Sequence, residues 1–189
     1  MNKPQGYDEA QAYGDFKVLP AGGYKCLIKK VACEKTQAGK EYLKIAFDIA
    51  DGEYKDFYKE KFANDTRDIN QKKWSGIWTI FVEGYEAGTT NSKLKGLITS
   101  VEKSNNFTFD WNKANNEQDL VGKKVGIVFR EEEFVGQDGQ IHTSVKPCYA
   151  MNYDEVENAK VPNKKTLGDQ AFENNYNSVD TTGDDDLPF

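Results

Sequence analysis

Histidine is nearly absent: the 189 residues contain one, His142. A Ser-His-Asp or Cys-His catalytic set would have to be built on that single ring. Its place on an expected strand beside Thr143 supplies no partners for one. Cysteine is scarce too. Cys26, Cys33 and Cys148 are an odd number without the spacing of a zinc site, so free thiols in a reducing compartment are expected. No run of 18 apolar residues exists, which excludes a membrane-spanning helix. The start Met1-Asn2-Lys3-Pro4 has no apolar stretch, so no secretory signal is expected. No Gly-x4-Gly-Lys-Ser/Thr phosphate loop appears. Glu131-Glu132-Glu133 beside a turn reads as a solvated face rather than a set of metal ligands. These absences together predict a chain that is not an enzyme and carries neither cofactor nor metal. A carboxylate-only nuclease site, assembled from acids distant in sequence, is the one catalytic arrangement that the residue types leave open.

The charge is unevenly spread. The chain has 25 basic and 31 acidic residues, a net of -6. Residues 1–150 hold 22 of each sign and net to zero, whereas residues 151–189 hold 3 basic and 9 acidic and carry the whole -6. That division predicts a folded body with an acidic tail. Aromatic residues make up 13%, and mean hydropathy is -0.78. A β-rich domain that must place many Tyr, Phe and Trp fits both values.

Periodicity predicts the elements. Tyr24–Cys33 reads as a strand bearing Lys25, Lys29 and Lys30, and 36–40 as a hairpin connection. Leu43, Ile45, Phe47 and Ile49 alternate with Tyr42, Lys44, Ala46 and Asp48, the pattern of a half-buried strand with Tyr42 and Lys44 outward. After the Asp51-Gly52 turn, Tyr54–Phe62 reads as a third strand. Trp74, Trp78, Phe81 and Tyr85 recur at four, three and four, which favours a helix. Leu94, Leu97, Ile98 and Val101 predict a helix over 92–103 with Ser92 as N-cap. Residues 105–119 read as loop. Val125–Arg130 and Ile141–Tyr149 read as two more strands around a turn at 137–139. Phe47, Phe81 and Phe129 are assigned to the core. The expected fold is mainly β: a five-stranded OB-fold-like barrel with one or two inserted helices and a disordered acidic C-terminal tail. The divisions are an N-terminal arm (1–20), the barrel domain (21–155), a flexible linker (156–183) and a tip (184–189). The linker is Asn-, Gly- and Ser/Thr-rich, and its 160–183 stretch would span roughly 25–30 Å.

The tip is Asp184-Asp185-Asp186-Leu187-Pro188-Phe189. Three carboxylates steer toward a basic surface. Pro188 restricts the final turn, and Phe189 offers a ring together with a terminal carboxylate. This ending resembles the C-terminal tip of bacterial and phage single-stranded DNA-binding proteins. In that family an OB-fold is joined by a disordered linker to an acidic tip that recruits replication, recombination and repair proteins. The body also resembles a group of phage and prophage proteins of Gram-positive hosts believed to bind single-stranded DNA. That likeness rests on Tyr7–Phe16, on Leu19-Pro20-Ala21-Gly22-Gly23-Tyr24 and on Gly122-Lys123-Lys124-Val125-Gly126. It implies a phage protein working in a bacterial host's cytoplasm and protecting single strands, with no membrane partner. The ordinary bacterial body is not matched, so oligomeric state stays open between monomer and homo-oligomer.

Single strands are held by base stacking on aromatic rings and by backbone contacts to cations. The sequence sets these side by side on the first strand (Lys25, Lys29, Lys30), the second (Tyr42, Lys44) and the third (Tyr58, Lys59, Lys61). A further cluster is Lys72, Lys73, Trp74 and Trp78, with Arg130 and Lys146 on the last two strands. Each has a plainer reading. Trp74 and Trp78 at this spacing are more often core, and strand lysines are common solvated edges. Two other readings stand beside DNA binding. One is an interaction protein that uses the tip to bind or block host replication factors without touching DNA. The other is a strand-annealing recombination protein.

Overall fold

Alternation along β2 (Glu41–Ile49) organises the molecule, a computed structural model that describes residues 1–5, 7, 17–86 and 88–169. The tip at 184–189, the linker from 170 onward and most of the arm motif lie outside the described residues. The Leu43, Ile45, Phe47 and Ile49 side chains form the centre of a core in which Phe47 and Phe129 meet at 5.8 Å. β1 (Gly22–Lys35) pairs antiparallel with β2, with a bulge at Lys29, and also with β4 (Lys124–Val135). β3 (Ile77–Phe81) adds to the far side of β2, and β5 (Ile141–Met151) to the far side of β4. The result is one five-stranded antiparallel sheet in the order β3-β2-β1-β4-β5. It is open: β3 and β5 are its edges, and no ladder joins them among the described residues. The expected mainly-β class is present, while the closed barrel is not.

Two predicted elements are corrected. Tyr54–Phe62 is not a strand: α1 (Phe57–Ala63) is a helix. Its aromatics at 54, 57, 58 and 62 fall three and four apart, a helical stripe hidden by the β-propensity of the same residue types. Asp48, 1% exposed, holds its start by accepting the Tyr58 N–H on Oδ1 (3.0 Å) and the Lys59 N–H on Oδ2 (3.2 Å). The 74–85 stretch is not a helix either. Trp78 and Ile80 point into the core while Ile77, Thr79 and Phe81 face the other way, a strand pattern that the spacing of the four large rings obscured. Gly76 leads into it, where a Cβ would overlap the Phe47 carbonyl and the Tyr58 ring. The backbone there donates from Phe47 N–H to the Gly76 carbonyl at 2.9 Å.

The remaining helix, α2 (Ser92–Asn105), is as the periodicity predicts, with Leu94, Leu97, Ile98 and Val101 buried against β3, β4 and β5. The cap is one residue earlier than expected: Asn91 Oδ1 accepts from Lys93 N–H at 2.9 Å. The described chain also stays ordered past the expected domain end at 155. Val156, fully buried, sits on the opposite face of the sheet from the main core. It fills the space left by Gly23 and Gly126, where any Cβ would collide with it. Lys165 then adds to the free part of β4, donating to the Glu131 carbonyl and accepting from Glu133 N–H, both at 2.9 Å. Val156 and Lys165 thus both pack onto the sheet.

Candidate nucleic-acid interface

β1, β2 and β3 present one outer face, opposite the core. Across it the ladder sets Glu34, Tyr42 and Phe81 in one row, Ala32, Lys44 and Thr79 in the next, and Lys30, Ala46 and Ile77 in the third. Tyr42 and Phe81 lie with ring centroids 6.0 Å apart, both half-buried, and the Tyr42 hydroxyl donates to Glu34 Oε2 at 2.6 Å. That bond fixes the ring's orientation, so the pair forms a small, pre-set aromatic platform. Lys30 is half-buried on the same face and Lys29 is exposed in the bulge beside it. Lys44 is on this face as the alternation predicts, but it is 5% exposed, so the expected outward cation is corrected. Ala32 and Thr79, its ladder neighbours, are small.

Two of the expected stacking residues are in the core. Tyr58 is 7% exposed, packed edge-on against Phe47 at 5.3 Å, and burial pushes its phenol well above the usual range. Trp78 is 5% exposed opposite Ile45. Neither has a ring face open to a base. Trp74 is half-buried, with its indole N–H donating to the Phe47 carbonyl at 3.1 Å and its ring 5.9 Å from Phe62. Lys72 lies 5.8 Å over that Phe62 ring, and Lys73 is exposed next to it.

Some expected cations have structural work. Lys25 bonds Glu157 at 3.3 Å and lies 5.7 Å over the Tyr153 ring, which ties β1 to the turn at 156–158. The Glu157 carboxylate raises the Lys25 ammonium above its ordinary value. Arg130 holds Glu132 at 2.9 Å, while Lys146 opposite it on β5 is exposed.

One groove runs along β3, and a larger one lies off the residues that precede it. The larger, about 820 Å³, lies between α1 and the β5 edge. Val18, Phe57 and Val145 give it apolar walls, and Lys17, Lys61 and Arg67 bring cations. Lys59 and Lys61 are both exposed on α1. Arg67 is engaged bidentately by Asp65, whose carboxyl it lowers to about 2. Ser75, two residues before β3, also lines this groove. The smaller, about 610 Å³, follows Thr79, Ile80 and Phe81 and is bounded by Tyr85, Lys40 and Lys93.

The sequence missed Phe81 as a surface residue by assigning it to the core. Its alternation with the inward Ile80 is the signal that would have found it. Tyr85, 69% exposed, enters the sequence pattern only as the end of the four-three-four aromatic stripe. Also missed is the pair at the β4–β5 hairpin, Phe134 and His142, whose rings sit 5.6 Å apart at 32°. His142 is engaged there by Asp138 at 3.0 Å. Among the described residues no cluster of His, Cys, Asp and Glu is arranged to hold a metal ion, and no helix is long and apolar enough to cross a membrane.

A family model described as "protein of unknown function (DUF669)" matches residues 5–166, which takes in the sheet, both helices and both grooves. The chain belongs to the DUF669 family. No curated protein matches it. In this member of DUF669 the matched span ends at Thr166, one residue after the backbone pairing of Lys165 with β4 and before the acidic end of the chain.

Proposed function

We propose that this DUF669 protein binds single-stranded DNA on the outer face of β1–β3 and recruits replication, recombination or repair proteins through its acidic C-terminal tip. In this reading it is a phage protein that acts in the cytoplasm of a bacterial host. The observation that carries it is the sheet order. β3-β2-β1-β4-β5, with α2 between β3 and β4, is the order of a five-stranded OB-type barrel opened between its third and fifth strands. In such barrels the face of the second and third strands is a nucleic-acid surface, and here that face carries the Tyr42–Phe81 platform, with Lys30 two ladder rows away and Lys29 in the bulge next to it. Nucleic-acid domains tend to be basic and this body is neutral, so the reading requires cations gathered locally on that face, not a net positive charge.

Titration with oligo-dT against duplex DNA across a salt series tests it, with Trp and Tyr fluorescence as the readout. Salt-dependent quenching by the single strand, much weaker with duplex, is expected. A preference for duplex overturns the reading. Absence of quenching into the micromolar range favours the protein that works through its tip alone. Strand annealing is separated by following the renaturation of complementary strands.

A further inference from the structure

Both grooves touch the segment 75–81, which holds β3 and the two residues before it. Ser75, just ahead of β3, lines the larger groove, and Thr79 to Phe81 line the smaller one. β3 is an edge of the sheet, with β2 on one side and no ladder partner on the other among the described residues. We propose that a single strand of nucleic acid runs lengthwise along the β3 edge, with one end in the α1–β5 groove and the other at Tyr85. This rests on the DNA-binding reading and adds a path, a length and two end contacts to it.

The length follows from strand geometry. The six residue-to-residue steps from Ser75 to Phe81 rise about 20 Å in extended backbone, which is about six nucleotides at the duplex rise and fewer where the strand is stretched. The ends are chemically matched to a strand. Lys61 is exposed on α1 beside apolar Phe57, and at the other end the exposed Tyr85 ring stands near Lys40 and Lys93. Between them lies the Tyr42–Phe81 platform. Acids are interspersed: Asp65 is satisfied by Arg67 and Glu41 by Lys35 at 3.2 Å, while Glu60, Glu83 and Glu86 remain among the cations. Few phosphates are therefore neutralised, and the rings carry the larger share of the affinity. A shallow salt dependence, with roughly one to three phosphates counted from the slope, is the consequence.

The test uses the full chain and oligo-dT of two lengths, about 4 and about 10 nucleotides, with Lys61→Ala, Tyr85→Ala and the double variant. Both side chains are exposed, and equal melting temperatures check that the fold is kept. On the long oligomer each single variant is expected to bind more weakly, by a few-fold for Lys61→Ala and about tenfold for Tyr85→Ala. On the short one each single loss shrinks to about twofold, because a strand too short to span moves to the intact end, and only the double variant binds poorly. Wild-type binding of the long oligomer with either single variant unaffected overturns the track while leaving DNA binding in place. So do equal losses at both lengths. If the wild type binds neither oligomer, the DNA-binding reading itself falls and takes the track with it.

Discussion

Asp48 shows how one residue joins the sheet to the candidate interface. Its carboxylate is 1% exposed and accepts from the Ile49, Tyr58 and Lys59 N–H groups, which fixes the start of α1 against β2. Desolvation raises its pKa above 3.8, more than the three donors lower it. The folded protein therefore keeps this proton to higher pH than the unfolded chain. Stability contributed by Asp48 is fullest below 3.8 and declines as pH rises through the raised folded value. Asp48→Asn removes that dependence. Urea unfolding at several pH values is expected to show the wild type's advantage over Asp48→Asn shrinking as pH rises above 4. An advantage that grows with pH would mean the backbone donors dominate instead. Asp48→Ala leaves buried donors unpaired and is expected to cost about 3 kcal/mol. Tyr42 permits a cleaner separation of ring from hydroxyl. Tyr42→Phe loses the bond to Glu34 but keeps the platform, so oligo-dT affinity is expected to change by less than about threefold. Tyr42→Ala is expected to lose about tenfold, the value of one stacked base. Equal losses in the two variants would place the role in the hydroxyl.

At the level of elements, what was legible depended on whether one periodicity stood alone. β2 was legible because Leu43, Ile45, Phe47 and Ile49 are apolar and their neighbours mostly are not. α2 was legible because its buried residues fall only at helical spacing. α1 and β3 were not, because bulky aromatics satisfy several periods at once and both elements are short, at 7 and 5 residues. Their true assignments rest on tertiary contacts: Asp48 holding the start of α1, and β2 accepting β3 in register from Tyr42–Phe81 to Ala46–Ile77. The interface inherited the same limits. Tyr42 was placed outward by alternation, whereas Phe81 became visible only once β3 was a strand. Trp78 tests the corrected element. As a core residue of β3 opposite Ile45, Trp78→Ala is expected to destabilise by about 3–5 kcal/mol in urea unfolding. As a surface platform on a helix it would cost little stability and much DNA affinity. A variant with unchanged stability would therefore overturn the inward placement of Trp78.

Across the whole molecule the charge is segregated: zero net over residues 1–150 and -6 over 151–189. Part of the acidic end is built into the fold. Glu157 is paired with Lys25, and Asp169 accepts from the Thr166 N–H and hydroxyl, which lowers its carboxyl. Asp184, Asp185 and Asp186 of the tip lie outside the described residues. A neutral body with few cations at its interface is unusually sensitive to such a segment. Each lysine the segment engages is a large fraction of those available to phosphate. Competition of this kind is strongest at low ionic strength and screened near 0.15 M, where the Debye length is about 8 Å. Deleting residues 184–189 is therefore expected to tighten oligo-dT binding at low salt, by a few-fold, and to leave it nearly unchanged at physiological salt. The full-length protein would then show a flatter salt slope than the truncated one, because salt weakens both the DNA contact and its competitor. Affinity that is unchanged or weaker in the truncated protein at low salt would show that the tip does not compete, leaving recruitment of partner proteins as its only proposed role.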